Sequence, residues 1–230
     1  MQYIWLIWSL ILIVIWFIIY VVVNEKEKRH EMLVVSLWTA LTGLAEPIFV
    51  PNYWLPPSLF NLAATTRFDL ESLIFSFATG GIAVIIYELI FRTHHARISV
   101  FEHHHPRHRL HILVLLSTPI IFLILFFAAP WNIMYSVIIS MTIGGLLTWY
   151  CRPDLKIKML SSAGIFLVIY FFYFLVLIAM APGYVERVWN LSALSGILVL
   201  GVPIEELLFA LSFGFFWSSV YEHITWKKLN

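Results

Sequence analysis

Charge is what this 230-residue chain has least of: Asp, Glu, Lys and Arg make up 12% of it, against roughly 25% in soluble domains. With 61% hydrophobic residues, 17% aromatic ones and a mean hydropathy of +0.90, there is no polar half to form a separate water-soluble domain. The single cysteine, Cys151, excludes a disulfide framework and a Cys-based metal site. There is no GxGxxG and hence no dinucleotide fingerprint, and no HExxH, which leaves an intramembrane metallopeptidase weakly supported. A formal net charge of +1, from 14 basic and 13 acidic residues, gives nothing for a nucleic acid to bind.

What is present is a series of long apolar runs. A bilayer core of about 30 Å takes about 20 apolar residues in a helix, and seven stretches qualify: 2–23, 32–50, 71–91, 110–129, 131–150, 159–181 and 197–222. The first is too long for a signal peptide and lacks a basic start and a small-residue cleavage site, so it is read as a span. None of the seven contains a lysine, which argues against a seven-helix retinal protein with a Schiff base. Placing the N-terminus outside puts twelve of the fourteen basic residues in inner segments, leaving Arg67 and Arg187 outside. This is the positive-inside pattern of a multi-pass cell-membrane protein with its C-terminus inside.

The spans are related to one another. A shift of 134 positions lays Leu70-Glu71-Ser72-Leu73-Ile74-Phe75 on Ile204-Glu205-Glu206-Leu207-Leu208-Phe209, Gly80 on Gly214 and Tyr87-Glu88 on Tyr221-Glu222. With small changes of offset, Phe60-Asn61-Leu62 falls on Trp189-Asn190-Leu191, and Met32-Leu33 on Met159-Leu160. A three-helix unit ends on the opposite side from its start, so a parallel second copy needs one extra crossing. The predicted fold is an all-α integral membrane protein in a 3+1+3 arrangement. Residues 1–91 form the first repeat, 92–130 a His/Arg-rich inner loop with the linker helix, and 131–230 the second repeat.

Four carboxylates near the outer level carry the candidate chemistry, because a charged acid in a membrane helix costs roughly 2.5–3.5 kcal/mol on insertion scales and is a functional candidate by default. Glu46 precedes Pro47, Glu71 opens the third span, and Glu205 and Glu206 follow Pro203, which is expected to kink the seventh span. Glu205 and Glu206 lie about 100° apart on a helix and should face different neighbours. Carboxyls sharing an apolar pocket acquire separated pKa values, one staying an acid while another is a base. Phe75 and Phe209 follow the repeat glutamates by four residues, and Phe216 continues that face, so their rings are candidates to stabilise a carbocation. Trp189, Asn190 and Asn61 complete the candidate substrate-binding set.

Other motifs read as structural. Tyr87-Glu88 and Tyr221-Glu222 lie 17 residues beyond the repeat glutamates, about 25 Å along a helix, and are expected to anchor at the inner surface against Arg92 or Lys227. Gly80-Gly81 and Gly144-Gly145 suit close helix contacts. Seven of the nine histidines crowd between His94 and His111, interspersed with arginines; such a tract can bind metal, but a linker touching anionic lipid is the expected role.

The duplicated unit and Pro203-Ile204-Glu205-Glu206-Leu207-Leu208-Phe209 resemble the membrane-type lycopene cyclases of carotenoid-producing bacteria and archaea, with their Pro-X-Glu-Glu-X-X-Phe signature in three-helix domains. Arg152-Pro153-Asp154-Leu155 and Trp189-Asn190 look similar too. The resemblance implies cyclisation of a linear, lycopene-like polyene by acid/base chemistry without a cofactor, as an intramolecular lyase or isomerase. It also implies Glu205 and Glu206 as the acid/base pair, with Glu71 the carboxylate of the other half. The first half departs from the signature, reading Asp69-Leu70-Glu71-Ser72 without the proline or the second acid. Rival readings are a non-catalytic carotenoid- or isoprenoid-binding module and an intramembrane peptidase. The expected partners are the polyene and the bilayer, with no nucleic acid.

Overall fold

The computed structural model describes residues 3–230, with the backbone only at Val100; the start of the first apolar stretch, at Gln2, lies outside them. Long helices dominate: α1 (Ile4–Val22), α2 (Lys26–Thr42), α3 (Leu70–Phe91), α4 (His111–Ala128), α5 (Ile133–Cys151), α6 (Lys156–Met180) and α7 (Ile204–Trp217). Helix is the expected solution for such sequences, since it satisfies every backbone polar group within one segment. Among the described residues, six helical stretches are long and apolar enough to cross a membrane: Ile4–Val22, Lys26–Phe49, Leu70–Phe91, Pro106–Ala128, Ile133–Cys151 and Pro153–Met180. The second contains Lys26 and Lys28 and the last Lys156 and Lys158, so lysines do enter the ends of these stretches.

The seventh stretch differs from expectation. Its first residues form a hairpin, β2 (Leu198–Val199) paired antiparallel with β3 (Val202–Pro203), and α7 is only 14 residues long. Gly201, at φ +87°, supplies the left-handed turn that a side chain resists. Pro203 therefore precedes the helix instead of kinking it, at a position where its missing N–H is not needed. After Trp217, Ser218 and Ser219 interrupt the helix before a second short one, Val220–Thr225, and Ser219 Oγ donates to the Phe216 carbonyl at 2.9 Å.

The chain forms two compact units. The first comprises the chain up to Ile82 with Asn132–Met134 and Val168–Leu207; the second comprises Ala83–Trp131, Tyr135–Leu167 and Leu208–Asn230.

In the first unit, α1 buries Trp5, Trp8, Ser9, Leu12 and Trp16, one stripe at helical spacing, while Val14, Phe17 and Ile18 are more than half exposed, as lipid-facing residues are. Trp16 Nε1 donates to Ser36 Oγ at 2.9 Å. Gly80 and Gly81 let α3 approach α2, because a Cβ at either would collide with Thr39 or Ser36.

In the second unit, Phe209, Phe213 and Trp217 stack along α7, with Phe166 of α6 at 5.4 Å from Phe213. Lys158, 2% exposed, lies 2.7 Å from Glu88 and 2.5 Å from Glu222, and His95 Nε2 lies 3.1 Å from Glu222. The acids of the two Tyr-Glu pairs thus meet Lys158 and His95. Lys227 donates to the Tyr221 hydroxyl at 3.1 Å. The strand β1 (His95–Arg97), paired with β4 (Lys227–Leu229), brings His95 into this network.

Candidate active site

The carboxylates of the first unit form two groups joined by tryptophans. Glu206, in the first turn of α7 and 4% exposed, is held by three donors. Tyr170 OH of α6 donates to Oε2 at 2.8 Å, Trp189 Nε1 donates to Oε1 at 2.8 Å, and Tyr53 OH donates to Oε1 in a short bond. Burial and the Glu206 charge push the Tyr53 phenol well above its ordinary pKa, so Tyr53 keeps its proton and Glu206 is the acceptor.

The second group comes from the turn after α2 and the start of α3. Glu46 Oε1 accepts from Trp54 Nε1 at 2.6 Å. Asp69 Oδ1 accepts from Trp5 Nε1 at 3.2 Å and from the Ser72 backbone N–H at 2.6 Å, which makes Asp69 the cap of α3. Burial raises the Asp69 carboxyl above the ordinary carboxylate range. Tyr184 adjoins Asp69 and Glu71, and burial plus those two acids raise its phenol. Asp69 Oδ2, Glu71 Oε2 and the Tyr184 hydroxyl are buried with no hydrogen-bond partner among the described residues.

The indoles that serve these acids touch in a row. Trp5 meets Trp54 edge-on at 4.8 Å, and Trp54 meets Trp189 at 5.3 Å. Backbone bonds fix the row, since Leu55 N–H donates to the Val188 carbonyl at 2.8 Å and Asn190 N–H to the Tyr53 carbonyl at 2.9 Å. Phe75 packs 5.4 Å from Trp5 and 6.4 Å from Tyr170.

The candidate residues therefore divide. Glu205 and Glu206 do face different neighbours, but Glu205 accepts the Ser195 backbone N–H at 2.8 Å, and Glu71 accepts that of Leu59 at 2.7 Å. Each of these two glutamates thus clips the loop that precedes its own helix. Glu46, Glu206, Phe75 and Trp189 lie in the tryptophan-linked groups. Asn190 latches loops, its Nδ2 donating to the Asn52 carbonyl at 3.2 Å, and Asn61 is exposed. Phe209 and Phe216 belong to the second unit, where Phe209 stacks on Phe213 and Phe216 packs on Trp217.

Sequence reasoning missed Tyr53, Trp54, Tyr170, Trp5, Asp69 and Tyr184. The available signals were polar-tipped aromatics inside apolar runs, which need a partner when buried, and the acid at the head of the degenerate first motif.

A buried acid group and a three-donor carboxylate linked by indoles, in a membrane protein, define a site suited to acid/base chemistry on an apolar substrate. Residues 132–224 match the model of the lycopene cyclase family. The matched segment contains Trp189, Glu205 and Glu206, and the match supports a carotenoid cyclase type of function. No curated protein and no solved structure matches the chain.

Proposed function

We propose that the protein cyclises an end group of a linear, lycopene-like carotenoid within the cell membrane, as an intramolecular lyase or isomerase. The observation that carries this reading is the Glu206 carboxylate under three donors, joined by Trp189, Trp54 and Trp5 to Asp69. Substrate and product are isomers, so the reaction needs no net oxidant or reductant.

The roles follow from the surroundings. Asp69, whose Oδ2 is buried with no hydrogen-bond partner among the described residues while Glu206 is surrounded by donors that stabilise a carboxylate, delivers its proton to the terminal carbon–carbon double bond. The π electrons of a double bond further along the chain attack the resulting cation, forming the ring carbon–carbon bond and leaving the positive charge on a ring carbon. Loss of a neighbouring C–H proton to Glu206 returns that electron pair to a ring double bond. One proton enters and one leaves, and Asp69 is reprotonated before the next turnover. The indole faces stabilise the cation by cation–π attraction, about 2 kcal/mol or more when desolvated. Glu46, held by Trp54, is the second carboxyl of this acid group. Glu71 and Glu205 act as positioning residues through the loops they clip.

The test is expression in a lycopene-accumulating host, with chromatography of the extracted pigments beside Glu206→Gln and Asp69→Asn at matched membrane content. Ring-bearing carotenoids that disappear in both variants are expected. Unchanged lycopene with wild-type protein in the membrane would overturn the substrate, and undiminished ring formation in both variants would overturn the residue assignment.

A further inference from the structure

We propose that His108, His111 and Cys151, in the second unit, form a binding site for one zinc-class divalent metal ion. Cys151 is the last residue of α5, fully buried; His108 sits in the short helical turn Pro106–Leu110, and His111 opens α4, each 7% exposed. Both imidazoles present the same atom to the sulfur. His108 Nδ1 lies 3.4 Å and His111 Nδ1 3.6 Å from Cys151 Sγ, and one ligand atom from each residue falls within 4.8 Å of the others. A tetrahedral ion with bonds of about 2.3 Å to sulfur and about 2.05 Å to nitrogen sets those atoms about 3.6 Å apart. A thiol has one hydrogen to give and does not account for two converging rings; a shared cation does.

The surroundings are those of a metal centre. His108 Nε2, on the ring edge away from the sulfur, is buried with no hydrogen-bond partner among the described residues and lies 3.6 Å from Glu102 Oε1, a carboxylate near enough to bias the ring electrostatically. Trp226 fixes the rings, stacked 4.0 Å from His111 and edge-on at 5.1 Å from His108, while His223 stands edge-on to His111 at 4.5 Å. An open pocket of about 380 Å³, lined by His103, His104, His105, Arg109, Trp226 and His108 itself, gives an ion a way in.

The nearby cations are already balanced. Arg152 binds Asp154 at 2.7 and 2.9 Å and the carbonyls of Glu222 and Lys227, and Arg107 pairs with Glu102. One thiolate and two neutral imidazoles suit a borderline-soft ion rather than calcium or magnesium, and three protein ligands leave a fourth position for water. The ion would tie the start of α4 to the end of α5. The histidine tract is thus divided, with His94, His103, His104 and His105 exposed and His108 and His111 turned inward to the sulfur.

The full-length chain, purified in detergent on a tag without histidine and stripped with chelator, is titrated with Co²⁺ and then with Zn²⁺. A thiolate-to-cobalt charge-transfer band saturating at a single equivalent and abolished by Zn²⁺ is expected. Cys151→Ser should lose the band, and the combined His103→Ala, His104→Ala and His105→Ala variant should keep it. Absence of the band in folded wild-type protein overturns the proposal without any variant. Its persistence unchanged in a combined His108→Ala and His111→Ala variant, or its loss in the triple variant alone, does so too, by placing the metal's nitrogen ligands in the exposed tract.

Discussion

Tyr53 donates its hydroxyl hydrogen to Glu206, tying the loop after α2 to the start of α7 across 153 residues of sequence. With Tyr170 and Trp189 it makes Glu206 an acceptor with every near neighbour donating. That geometry sets the expected behaviour of the first variants.

Tyr53→Phe and Tyr170→Phe each remove one donor while keeping the ring. A hydrogen bond to a charged group is worth about 1.5–3 kcal/mol, so each is expected to slow cyclisation about 10- to 100-fold. Pigment turnover in membranes with matched protein content checks this; a rate equal to wild type in both would remove Glu206 from the chemistry.

The adjacent glutamates should separate. Glu205→Gln keeps a carbonyl oxygen for the Ser195 backbone N–H and is expected to retain activity within about threefold, a loss of under 1 kcal/mol. Glu206→Gln removes the base and replaces one of the two accepting oxygens with an amide N–H₂ that opposes a donor, and it is expected to lose more than about 100-fold. Equal losses in side-by-side assays would contradict the division of roles.

The pH profile of cyclisation should fall on its alkaline side. Burial raises the Asp69 carboxyl, so its protonated, proton-donating form persists above the ordinary carboxylate range and is lost as pH rises through the raised value. Single-turnover rates in liposomes against pH should show that limb in wild type, and Asp69→Asn should lack it at a much lower rate. A wild-type rate that climbs steadily with pH would exclude Asp69 as the acid.

Lys158→Met should destabilise the second unit. It would leave Glu88 and Glu222, both fully buried, without the ammonium they share at 2.7 and 2.5 Å, and breaking a buried pair costs about 3–5 kcal/mol. The readout is the thermal midpoint in detergent, with Glu88→Gln and Glu222→Gln added to Lys158→Met recovering part of the loss. An unchanged midpoint in Lys158→Met would show that the network contributes nothing to stability.

The amino-acid sequence by itself determined the apolar helices, because a segment of about 20 apolar residues has one way to satisfy its backbone in lipid. Most helix ends fall within a few residues of the apolar runs. It also singled out Glu46 and Glu206, since buried acids in apolar runs are rare enough to stand out, and Gly80-Gly81 as a close helix contact. It misjudged the seventh stretch, whose hydropathy does not distinguish the turn at Gly201 from a continuing helix. Tertiary structure decided which oxygen meets which donor. Glu71 and Glu205 hold backbone N–H groups, Asp69 meets Trp5, and Trp54 stands between two acid groups, all through contacts separated by turns whose geometry has no period to read. Cys151 shows the same limit. A single cysteine in the sequence argues against a Cys-based metal site, yet the folding of α4 against α5 sets two imidazoles within 3.6 Å of its sulfur.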